Sequence, residues 1–178
     1  MPTEQNDVPV DLPIEKRIGA AVARYGETAV VTRALSLLAG NNEGDEFLLY
    51  VGGEHARGIL GGAPPLYWPE LWGTRALLYV WDDSARPGVE SALHNQAWRV
   101  REMACRVSAA RRLPLAEQVE ALLADGVPRV RAAAARALGE IGTTSSLPAL
   151  EALLRDPEID VRRGAQQGSS SIRARAAG

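Results

Sequence analysis

In the second half of the chain, apolar residues recur at steps of three and four, the spacing that keeps one face of a helix apolar, and the pattern itself repeats. Residues 93–101, 123–131 and 154–162 align without gaps at offsets of 30 and 31. Each block opens on a leucine (Leu93, Leu123, Leu154) and closes on a Val-Arg pair, Val100-Arg101, Val130-Arg131 and Val161-Arg162. An alanine stands four positions past each valine, at Ala104, Ala134 and Ala165. A recurrence of this length marks stacked supersecondary units, each too small to bury its apolar face alone.

Every unit reads as a helix, a tight turn and a second helix. The first helices are predicted over 88–95, 115–125 and 146–156, and the second over 98–113, 128–141 and from 159 onward. Pro128 suits a first helical turn, where its missing N–H has no helical partner. Asp125-Gly126 and Asp156-Pro157 supply the reversals, and Gly142 with the threonines after it stops one hairpin before the next. Upstream the repeat blurs while helical character persists. Helices are predicted over 13–25, 27–39 and 43–60, then a bend at 61–65 and a helix over 68–81. The expected organisation is a flexible stretch at 1–10 followed by one helical-repeat domain, 11–178. Within it, 11–85 is divergent, 86–165 is regular and 166–178 is an irregular basic tail carrying Arg173 and Arg175. The tail is expected because Gln166-Gln167-Gly168-Ser169-Ser170-Ser171 lacks an apolar stripe.

Composition narrows the class. Aromatics make up 5% of the residues and Ala, Leu and Arg dominate, so helices are favoured over strands. A single cysteine, Cys105, leaves no internal disulfide, and no stretch has the pattern of a signal peptide or a bilayer span. A cytoplasmic protein without a membrane segment is expected. The net charge of −2 conceals an asymmetry: residues 1–96 hold 7 basic and 13 acidic side chains, residues 97–178 hold 13 and 9.

The run Val130-Arg131-Ala132-Ala133-Ala134-Ala135-Arg136-Ala137-Leu138-Gly139-Glu140-Ile141-Gly142, with Leu147-Pro148-Ala149-Leu150-Glu151-Ala152-Leu153-Leu154-Arg155-Asp156-Pro157 after it, closely resembles the short bacterial HEAT repeat. The resemblance spans about 87–165, and the whole chain is similar to a group of small actinobacterial HEAT-repeat proteins. It implies an all-α fold, a right-handed α-solenoid of helical hairpins whose second helices line a concave face. It also implies that Arg101, Arg131 and Arg162 bond to an aspartate or carbonyl of a neighbouring repeat, as buried charge requires. No reaction is implied, since fold alone does not determine function.

The candidate contact surface is therefore the outward side of the second helices. Arg99, Glu102 and Arg106 on one helix correspond to Arg129, Ala132 and Arg136 on the next and to Asp160, Arg163 and Gln167 on the last. Stacked, they form a basic strip, extended by Trp98, that suits an acidic protein segment and, less well, a nucleic-acid backbone. A second candidate is the aromatic segment with Trp68, Trp72 and Arg75. Trp68, Trp72 and Tyr79 read first as a core stripe. The functional alternative is a groove in which Trp68, Trp72 and Trp98, with Asp82 or Asp83, hold a nucleotide as in DNA-alkylation-repeat glycosylases. Only residue types support that alternative, and a sequence pI near 5.8 weighs against a duplex-binding surface. No catalytic residue, cofactor or metal is expected, because His55 and His94 are isolated and the glycines lack a phosphate-loop pattern.

Overall fold

The computed structural model describes residues 7–178, and among these every regular element is helical. The chain divides into two compact units, 1–85 and 86–178.

The second unit consists of three hairpins: α6 (Arg86–Ala92) with α7 (Trp98–Ala110), α8 (Ala116–Ala121) with α9 (Pro128–Ile141), and α10 (Leu147–Ala152) with α11 (Ile159–Ala177). Single 3₁₀ turns, Leu122–Ala124 and Leu153–Arg155, extend α8 and α10. The same side-chain device turns each corner. Asn95, Asp125 and Asp156 each accept, through Oδ1, the backbone N–H two residues on, at 2.8, 2.8 and 2.9 Å. Val100, Val130 and Val161 and the alanines four places later are fully buried, so the repeating stripe is the core. Burial of each such aliphatic side chain contributes roughly 1.5–3 kcal/mol for the larger ones.

The second helices pack side by side, α7 on α9 and α9 on α11. Arg101 donates from Nε and Nη2 to the two carboxylate oxygens of Asp125, at 2.8 and 3.0 Å, and from Nη1 to the carbonyls of Asn95 and Gln96. Arg131 repeats this one hairpin later with Asp156, at 2.9 and 3.1 Å, and the carbonyl of Asp125. Arg162 binds the carbonyls of Asp156 and Pro157. Arg101 and Arg131 thus bond to an aspartate of the neighbouring repeat as expected, whereas Arg162, on the last helix, bonds to carbonyls of its own hairpin.

The expected irregular tail at 166–178 is instead helix: α11 runs to Ala177. The glycines and serines that read as helix-breaking form its packing face. Gly164, Ala165, Gly168, Ser169 and Ile172 are buried. A Cβ on Gly168 would lie 2.3 Å from the Ala135 carbonyl oxygen, and one on Gly164 would lie 2.8 Å from that of Ala132. Backbone therefore meets backbone along this interface, and the dispersion and Cα–H···O contacts offset the helix propensity lost to glycine. Arg175 donates to the carbonyls of Gly139 and Gly142 at the end of α9, and Arg173 pairs with Glu151, so both basic residues secure the helix. The opposite side of α11 holds Arg163, Gln166, Ser170 and Arg173, all exposed. At offset 31 the first three correspond to Ala132, Ala135 and Gly139, which α11 covers on α9. The last helix thus closes the apolar stack with a polar outer surface, as a solenoid end requires.

The first unit contains α1 (Ile14–Tyr25), α2 (Glu27–Leu38), α3 (Asp45–Gly52), α4 (Glu54–Leu60) and α5 (Trp68–Ala76), around Ile18, Val30, Val31, Phe47 and Val51. The single helix predicted over 43–60 is broken at Gly53, whose φ of +59° is a left-handed conformation. The helix predicted over 68–81 stops at Ala76. This takes Tyr79 out of register with Trp68 and Trp72 and leaves it 43% exposed, so it does not extend their stripe. Of the expected flexible stretch, residues 1–6 lie outside the described residues, and Val8 and Val10 are buried.

Candidate partner-binding face

Contacts between successive helices link Trp98, Arg99 and Glu102 of α7 with Arg129 of α9, and Arg136 of α9 with Asp160 of α11. Trp98, the first residue of α7, is half-buried, with the Arg99 guanidinium 4.6 Å and the Arg129 guanidinium 5.5 Å from its ring centroid. Such stacking gives each cation a face to rest on without removing it from water. Arg129 also reaches from α9 to Glu102 on α7, its Nη2 lying 3.1 Å from Oε1. Further along, Arg136 extends from α9 to α11, where Nη2 meets Asp160 Oδ1 at 2.5 Å and Nε meets Gln167 Oε1 at 3.3 Å. Arg136 holds the Asp160 carboxyl below the usual range, and the charges of Arg163 and Arg129 add to the effect.

The nine positions expected on this strip do not behave alike. Ala132 is not on it, being buried where α11 approaches most closely. Arg129 and Arg136 join neighbouring repeats and so serve the stack as well as the surface. Arg106 is exposed and makes no hydrogen bond or ion pair among the described residues. Arg163 is exposed on the side of α11 away from α9 and is in no ion pair among the described residues. The sequence spacing sets these positions in register; the division of the arginines between structure and solvent depends on partners 24–31 residues away.

In the first unit, Trp72 is buried and Trp68 half-buried, their ring centroids 6.1 Å apart. The two line a pocket of about 220 Å³ with His55, Gly58, Ile59, Ala63 and Pro64. This lining contains no carboxylate. Asp82 accepts the Ser84 N–H and hydroxyl, and Asp83 accepts the Trp81 indole N–H, so both serve their own turn. Arg75 donates from Nη2 to the Val51 carbonyl at 3.0 Å, toward the end of α3 rather than into the pocket. The aromatic segment is thus mainly packing: a Cβ on Gly52 would lie 2.6 Å from the Trp72 ring. The residues assembled there do not place an aspartate beside an open aromatic groove.

Cys105 is fully buried, and burial pushes its thiol up to about 12, with the Asp125 and Glu102 charges adding to that. Among the described residues no group of His, Cys, Asp and Glu is placed to hold a metal ion, and no helix is long and apolar enough to cross a membrane.

Residues 86–170 match the family model for HEAT repeats. The chain is a HEAT-repeat protein. The matched span runs from α6 into α11 and so includes the three hairpins and the residues of α11 that pack on α9. HEAT repeats commonly serve as surfaces for protein interaction. No curated protein matches the chain.

Proposed function

We propose that this HEAT-repeat protein is a non-catalytic scaffold or adaptor of the cytoplasm, docking an acidic segment of a partner protein along the second helices of its repeats. The observation that carries this reading is that Arg106 on that face, and Arg163 at its outer edge on α11, are exposed and in no ion pair among the described residues, while Arg101 and Arg131 already satisfy the needs of the stack. Cations that the fold does not use, beside an aromatic anchor at Trp98, are the residue types that concentrate binding energy at protein interfaces. Arg99, Arg129 and Arg136 complete the contact surface.

The test is affinity capture from the source organism's lysate, with and without nuclease and at two salt concentrations. Reversing all the arginines would confound binding with folding, because a glutamate at 129 or 136 would face Glu102 or Asp160. The informative variant combines Arg99→Glu, Arg106→Glu and Arg163→Glu. It should lose the native partner while its helical circular dichroism stays unchanged. Undiminished capture by this folded variant removes the face from the function. A partner recovered only without nuclease points to nucleic acid instead.

A further inference from the structure

One position on the face departs from the repeat's own pattern of charge pairing. At the offsets that relate Val100, Val130 and Val161, Arg99 corresponds to Arg129 and Asp160, and Arg106 corresponds to Arg136 and Gln167. Between α9 and α11 the pattern is complete: Arg136 finds Asp160 and Gln167 as acceptors. Between α7 and α9 the equivalent donor is Arg106, and the two acceptor positions hold Arg129 and Arg136. Neither can accept a hydrogen bond, because a guanidinium has only donors. Arg129 turns to Glu102 and Arg136 reaches forward to α11, leaving Arg106 without a hydrogen-bonding or ionic partner among the described residues. The first interface thus lacks the one carboxylate that completes the second, and it has two further cations at the corresponding places.

We propose that Arg106, flanked by Arg129 and Arg136, takes that carboxylate from outside: an aspartate or glutamate side chain of an acidic partner segment, seated where Asp160 sits for Arg136. This rests on the docking face proposed above and names the point on it that selects the partner. A carboxylate is favoured over phosphate because a carboxylate already fills the equivalent place in the same architecture, and the planar guanidinium matches its two oxygens. Three like charges at neighbouring positions also reinforce one another's attraction for an anion, an effect that salt weakens.

The experiment is fluorescence anisotropy of a labelled oligoglutamate peptide titrated with the full chain at low salt, beside a labelled oligothymidylate of equal charge. Arg106→Gln should weaken oligoglutamate binding by about tenfold or more, the loss of a charge-assisted bond. Arg155→Gln removes the same charge from the exposed turn after α10, away from the face, and should change affinity by less than about twofold, the scale of a screened distant charge. Equal losses in the two variants would mean attraction by net charge alone and would overturn the proposal while leaving the docking face intact. No effect of Arg106→Gln on measurable binding overturns it too, as does tighter binding of the oligothymidylate. Absence of any oligoglutamate binding by the parent protein also overturns it, and the capture experiment then decides the fate of the face separately. The Nε–H resonance of Arg106 supplies an independent readout: it should shift on peptide addition.

Discussion

Both units hold arginine guanidinium groups away from water, and they satisfy them by different means. In the second unit Arg101 and Arg131 each meet an aspartate of the following hairpin through two bonds, and the same aspartate caps the hairpin's own turn. In the first unit Arg17, 8% exposed, is met by carbonyls: Tyr50 at 2.9 Å, Leu12 at 2.5 Å and Val51 at 3.5 Å. Tyr50 and Val51 lie in the last turn of α3, where carbonyls lack helical partners and the helix dipole is negative. Burial draws the Arg17 pKa down. The first device repeats because it needs only a Val-Arg pair and an aspartate at fixed offsets. The second depends on one helix ending opposite one side chain, and it cannot recur by repetition.

The largest effect should come from breaking the backbone approach that ends the repeated unit. Gly168→Leu places side-chain atoms where the Ala135 carbonyl already lies, so urea unfolding should show a loss of about 3 kcal/mol or more. Near-parental stability would mean that α11 does not pack on α9 through this glycine.

The contrast between the two arginine devices gives the next effect. The Arg101 and Asp125 side chains are 17% and 7% exposed. Asp125→Ala leaves that guanidinium without its carboxylate and the Val127 N–H without its cap, and should cost about 2–4 kcal/mol. Arg17→Met leaves polar carbonyls short of donors but strands no charge, and should cost about 1–2 kcal/mol. Equal costs would erase the distinction between the two units.

Acid should sharpen it with a smaller signal. Burial alone would raise the Asp125 carboxyl, but bonds from Arg101 and the Val127 N–H outweigh it and hold the group below its ordinary value. Arg131 lowers Asp156 likewise. The unfolded chain therefore takes up these protons first. Their stabilisation is fully present above about pH 4, the ordinary aspartate range, and is lost as pH falls through the lower folded values. Stability measured from pH 6 to pH 2 should fall in that window, and Asp125→Asn should flatten the fall. Arg17, with no carboxylate partner among the described residues, contributes nothing to it.

Much of the second unit was legible from sequence because one period carried both the core valines and the ladder arginines, and α7 and α9 begin at the residues expected. The continuation of α11 was hidden for a physical reason. Gly164, Gly168 and Ser169 register as polar or helix-breaking, yet their smallness is what allows the helix to pack. The break at Gly53 and the early end of α5 at Ala76 were hidden in the first unit, where no repeat constrains the reading. The candidate face was visible as a row of arginines. Which of them the fold consumes was not, since that depends on ion pairs between helices, although the charge mismatch at Arg106 lies in the aligned repeats themselves.

The most direct measurement of the docking claim is site-specific photo-cross-linking. A benzophenone amino acid replaces exposed Ala110, one helical turn beyond Arg106 on the same side of α7, or exposed Glu117 on the first helix α8. The partner should cross-link from position 110 and not from position 117. Cross-linking from 117 alone would contradict the claim and place the interface on the first helices.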